Sequence, residues 1–143
     1  MSQPSLELIE KEITDFIRRI VISEKRNDQL ERSAYIILRI LSSNGPSGVK
    51  SLAEALQLDI STISRQAAAL ESKSYVQRIP NPQDKRAYFY QITTLGEEEL
   101  DKNKQRRFER LGKILEDWSE EEQLAFGKLL QKYNQHVVER LKP

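Results

Sequence analysis

Residues 59–92 constrain this chain most. They open with Asp59-Ile60-Ser61-Thr62-Ile63-Ser64-Arg65-Gln66-Ala67-Ala68-Ala69-Leu70-Glu71, a short helix-forming run studded with Ser, Thr, Arg and Gln. Two β-prone runs follow, Tyr75 to Ile79 and Ala87 to Ile92, separated by Pro80-Asn81-Pro82-Gln83-Asp84-Lys85-Arg86. A polar-faced helix running into a hairpin with a basic tip has the form of a recognition helix and a wing. Its expected partner is double-stranded DNA.

The flanks read as helices. Leu6, Ile9, Ile13, Phe16, Ile17 and Ile20 recur at spacings of three and four, which predicts a helix over about 6–23. Lys25-Arg26-Asn27-Asp28 reads as a polar break. A second helix, about 31–43, is apolar on several sides (Tyr35, Ile36, Ile37, Leu38, Ile40, Leu41), so it is expected to be buried. Residues 42–48 form the clearest loop. A short helix over about 49–56 turns inward Val49, Leu52, Ala53 and Leu56. The turn Gln57-Leu58-Asp59 leads to the next, about 60–72, with Ile60, Ile63, Ala67 and Leu70 inward and Asp59 or Ser61 as its cap. Strands are expected at about 75–79 and 87–92, with the two prolines between them in a projecting turn. Thr94 and Glu97 fit a capping box opening a helix to about 117, and Ser119 and Glu122 fit a second, opening a helix to about 141.

Composition removes several chemistries. Cysteine is absent, so thiol catalysis, thiol redox sensing and disulfides are excluded. The single His136 leaves no cluster for a metal, and no metal or other cofactor is expected. No nucleophile–base constellation or phosphate-cradling glycine loop is present, so the chain does not read as an enzyme. No apolar run is long enough to span a bilayer, and Met1-Ser2-Gln3-Pro4 lacks the layout of a secretion signal. The expected location is cytoplasmic. Net charge is +1, but residues 44–95 hold 6 basic and 4 acidic side chains, which sets the small excess on the DNA-facing segment.

The candidate site is Ser61, Thr62, Ser64, Arg65 and Gln66 on the helix with Asp84, Lys85 and Arg86 on the wing. Arg pairs bidentately with guanine and Gln with adenine, and hydroxyls reach base or phosphate. A helix N-terminus also favours phosphate. Arg suits a narrow minor groove beside the major groove. Asp84 would repel phosphate, so its expected role is to pair with Arg86 and orient the guanidinium. An ordinary amphipathic helix and a solvated turn would carry the same residues.

The chain resembles the MarR family of bacterial winged-helix transcriptional regulators. The resemblance lies in Leu52-Ala53-Glu54, Ser61-Thr62-Ile63-Ser64-Arg65, Leu70-Glu71-Ser72-Lys73, Tyr75-Val76-Gln77-Arg78, the wing Asp84-Lys85-Arg86, and Ile92-Thr93-Thr94-Leu95-Gly96. It covers about residues 45–97, and the flanks agree in helix pattern. Two positions depart: Gln57 and Ser74 stand where the family often has glycine, which sends each toward positive φ at a cost of about 1 kcal/mol.

The resemblance implies a mainly α fold with a small β-hairpin wing, a winged helix-turn-helix. It forms one domain over 1–143, with a DNA-binding lobe at 31–97 and a dimerisation region at 1–30 and 98–143. It implies a homodimer, on Ile9, Ile13, Leu129, Tyr133, Val137 and Leu141 among other apolar residues of the terminal helices. It further implies a pseudo-palindromic operator, repression as the commoner mode, and in many members release by a small aromatic or phenolic ligand. Phe16, Tyr35 and Trp118 could line such a pocket or be core. The competing reading is a winged-helix protein–protein module without DNA binding. Retention of Arg65, Asp84 and Arg86 argues against it.

Overall fold

The computed structural model describes residues 3–25 and 30–141. The elements run α1 (Pro4–Lys25), α2 (Arg32–Asn44), α3 (Val49–Leu56), α4 (Ile60–Ser72), β1 (Val76–Asn81), β2 (Asp84–Ile92), α5 (Thr94–Ile114) and α6 (Glu120–Arg140). The expected break at 25–28 lies mostly outside the described residues. The chain divides into two compact units, 1–103 and 104–143, and the boundary falls inside α5.

In the first unit the core is built around α2. Ile37, Leu38 and Leu41 meet Leu52 of α3, Ile63, Ala67 and Leu70 of α4, Val76 and Tyr90 of the hairpin, and Leu100 of α5. Apolar residues on several sides of α2 thus have partners on several sides, as its composition requires. Ile60 departs from expectation: it is 54% exposed, because as the first helical residue of α4 it faces the hollow between α3 and the hairpin.

The helix-turn-helix is closed by backbone geometry. Gln57 (φ 56°) and Ser74 (φ 65°) are both left-handed, as the missing glycines implied. At the end of α3, Leu58 N–H bonds Ala53 O and Gln57 N–H bonds Glu54 O. At the end of α4, Tyr75 N–H bonds Leu70 O and Ser74 N–H bonds Glu71 O. Both are Schellman terminations, which need a left-handed residue.

The hairpin is longer than its prolines suggested. β1 pairs antiparallel with β2 from Val76↔Ile92 through Pro80↔Tyr88, and the register shifts between Pro80 and Asn81. A two-stranded ladder leaves each strand an outer edge, so Pro80 is accommodated without losing a paired N–H. Pro82-Gln83 make the turn, with Asn81 Oδ1 accepting from Gln83 N–H at 2.9 Å. On the other side of β2, Ser47 and Tyr90 exchange backbone bonds of 3.1 and 2.9 Å, which ties the loop after α2 to the wing.

The start of α5 is set one residue earlier than the Thr94–Glu97 box implied. Thr93 Oγ1 accepts from Gly96 N–H at 3.0 Å and donates to Ser74 O at 2.7 Å. Glu97 accepts from Ser42 Oγ instead. Two adjacent threonines are equal candidates by type, and the carbonyl of Ser74 selects between them.

In the second unit, Ser119 and Glu122 form the expected capping box of α6. Trp118 packs on Phe126, with centroids 5.4 Å apart. α5 ends at Ile114, short of the expected 117. No residue of α6 is buried.

Candidate nucleic-acid interface

The reading surface is set by the helical angle of 100° per residue. Ile63, Ala67 and Leu70 point into the core, so the opposite stripe is Ser61, Arg65, Ala68 and Ser72, all exposed. Thr62 flanks this stripe on one side and Ser64 on the other. The side chain of Ser64 lines the hollow between α3 and the wing, with Lys50, Glu54 and Phe89. Gln66 turns the other way: its buried Oε1 has no partner, and the residue lines a separate hollow with Leu30, Ala34 and Tyr75. The structure therefore puts Ser61 and Arg65 on the outward stripe with Thr62 and Ser64 at its two flanks, whereas Gln66, one turn on from Thr62, has its Oε1 buried. Ala68 and Ser72 join the stripe unannounced; an alanine methyl carries no polar signal, and only its angular position reveals it.

Asp59 caps α4. Its carboxylate accepts from Thr62 N–H at 3.1 Å, from Thr62 Oγ1 at 2.6 Å and from Ser61 Oγ. These bonds, Ser61's first and Thr62's next, hold its carboxyl down at about 2. The expectation that the bare N-terminus attracts phosphate is corrected here: one of its N–H groups is taken and a carboxylate stands beside it.

On the wing, Asp84, Lys85 and Arg86 are exposed at the start of β2. Asp84 does not pair with the Arg86 guanidinium. Its Oδ1 accepts from the Arg86 backbone N–H at 3.0 Å, which steers the chain, not the side chain. Among the described residues no acidic side chain pairs with Arg65, Lys85 or Arg86. Three free cations on one helix face and one hairpin tip can neutralise phosphate or enter a groove. Arg78, at the wing's base, is held instead: its Nε donates to Glu71 Oε1 at 3.1 Å.

The known proteins decide the class. The MarR family model matches residues 30–88, from just before α2 into β2. The HTH-type transcriptional regulator YxaD of Bacillus subtilis (strain 168) is 48% identical over 141 residues, covering 96% of this chain and 99% of that protein. The chain belongs to the MarR family. As a member it is a DNA-binding transcriptional regulator. The fold agrees with solved structures. A MarR family protein from Bacillus stearothermophilus superposes with a TM-score of 0.81 at 20% identity, over 96% of this chain and 99% of that one. The PcaV regulator of Streptomyces coelicolor, solved with its natural ligand, gives a TM-score of 0.67 at 19% identity over 85% and 91%. No helix among the described residues is long and apolar enough to cross a membrane.

Proposed function

We propose that this MarR family member acts as a homodimeric repressor. In this reading α4 lies in the major groove of each half of a pseudo-palindromic operator, and the wing tip lies over the adjacent minor groove. The observation that carries it is the set of free, exposed cations: Arg65 on the outward stripe, with Lys85 and Arg86 on the wing. Arg65 reads guanine, Ser61 and Thr62 accept from base amines, Ser64 contacts base or backbone, and Arg86 enters the minor groove with its backbone N–H held by Asp84. Gln66 has no part in it.

Dimerisation is supported by apolar surface without a cover. Leu6, Ile9, Phe16 and Ile17 are exposed on α1, and Leu129, Tyr133 and Val137 on α6, with Leu141 just past its end 72% exposed. Surfaces of this kind mark association sites. Ile13, half-buried on α1, belongs to the same set. A two-fold dimer sets two reading helices about one DNA turn apart.

The effector belongs in a hollow of about 840 Å³ between α1, α2 and α3, lined by Val21, Leu30, Ile36, Leu56 and Leu58 with Arg32 and Arg39. Its largely apolar walls suit a small aromatic or phenolic molecule. Tyr35 is core, Phe16 is exposed and Trp118 packs on Phe126, and none of the three lines this hollow.

Selection of duplexes from a randomised pool by the purified chain, followed by sedimentation of the complex, tests the reading. A selected inverted repeat carrying two chains supports it. Recovery of no preferred sequence, or one chain per duplex, opposes it.

A further inference from the structure

Arg78 is the cation of the wing that does not stand free. It lies opposite Tyr90 across the hairpin. Its Nε donates to Glu71 Oε1 at 3.1 Å, and its guanidinium carbon sits 4.4 Å from the Tyr88 ring centre and 5.9 Å from that of Tyr90. Glu71 is in the last turn of α4. The two tyrosines, 5.5 Å apart edge to face, belong to β2. One planar group therefore touches the end of the reading helix and the stem of the wing at once. Val76 and Tyr90 seat the stem of the hairpin in the core and Ser47 ties it to the loop after α2, and the Glu71–Arg78–tyrosine contact adds a side-chain link from that stem to the end of α4.

We infer that Glu71 and Arg78 are positioning residues that fix the angle between the hairpin and α4, so that Arg65 and Arg86 meet adjacent grooves of one duplex together. The inference rests on the proposed placement of α4 in the major groove and the wing tip in the minor groove. Lysine cannot substitute, because an ammonium group has no planar fork to bond Glu71 while its face lies on a ring. The rival role, a simple phosphate contact by Arg78, has opposite consequences. Removing the Glu71 charge would then strengthen binding, and lysine would serve nearly as well as arginine.

The test uses the full chain and a duplex selected from a randomised pool by the wild-type protein. Affinity is read by fluorescence anisotropy, the major groove by dimethyl sulfate protection of guanine N7, and the flanking minor groove by hydroxyl-radical footprinting. Glu71→Gln and Arg78→Lys are each expected to weaken binding about fivefold, and the double variant no further than either. Guanine protection should persist while the flanking footprint fades, a split that general unfolding would not produce. Tighter binding by Glu71→Gln, a wild-type footprint for Arg78→Lys, or losses that multiply in the double variant would each overturn the inference. Failure of the wild-type chain to select any duplex would overturn the groove assignments beneath it, a result visible before any variant is made.

Discussion

Thr62 donates its hydroxyl proton to the Asp59 carboxylate at 2.6 Å, and this contact fixes the polarity of the reading end of α4. Ser61 donates to the same carboxylate. With both protons spent, these hydroxyls offer DNA only lone pairs, which suit the exocyclic amines of adenine and cytosine. Arg65, one turn on, offers only donors.

The first prediction concerns that carboxylate. Its folded value, about 2, lies below the ordinary 3.8. The stabilisation from the cap is therefore fully present above about pH 4 and is lost as pH falls through 2. Carboxyl-carbon NMR should find Asp59 titrating near 2 in the wild type and moving upward in Ser61→Ala. Titration at the ordinary value would show that the hydroxyl bonds do not persist in solution.

Gly96 is irreplaceable for a steric reason. A Cβ there would lie 2.1 Å from Tyr75 O and 2.8 Å from Ile92 Cγ1. The same carbonyl accepts from Thr93 N–H at 3.0 Å, so it cannot retreat without breaking the start of α5. Gly96→Ala should cost about 3 kcal/mol in urea denaturation at fixed protein concentration. A loss below about 1 kcal/mol would contradict this packing.

The two left-handed residues predict the opposite sign. Gln57→Gly and Ser74→Gly should each raise stability by about 1 kcal/mol, since glycine meets no Cβ penalty there. The gains should add, because the two turns share no partner. A loss on either substitution would mean that the side chain holds something the strain does not outweigh.

Asp84 gives a prediction that separates charge from geometry. Asp84→Ala leaves the Arg86 N–H without its acceptor and should weaken DNA binding although it removes a negative charge. Asp84→Asn keeps an acceptor and should bind at least as tightly as the wild type. Tighter binding by the alanine variant would reduce Asp84 to a repulsive charge.

Much of this was legible from residue order. The bounds of α3 and α4 follow from clean apolar spacing and a capping Asp59, and the strain at Gln57 and Ser74 from two absent glycines. Other features depended on contacts distant in sequence. Thr93 displaces Thr94 as the cap because Ser74 O accepts its hydroxyl. Pro80 sits in a strand because that strand has an outer edge. Gln66 has the right type for reading adenine but its Oε1 is buried on the flank away from the wing, and Ala68 has the right angle without a telling type. Residue chemistry names candidates, and the helical angle decides which of them share a face.

The central claim is that Arg65 reads a base from the outward face of α4. The measurement is anisotropy of the wild type and Arg65→Ala on the selected duplex, its single-pair variants and a scrambled control, across a salt series. The wild type should show a steep salt dependence and a strong preference for the selected duplex. Arg65→Ala should lose about 1–3 kcal/mol and show relaxed preference at one base pair per half-site. Uniform weakening on every duplex would assign Arg65 to phosphate and contradict the claim.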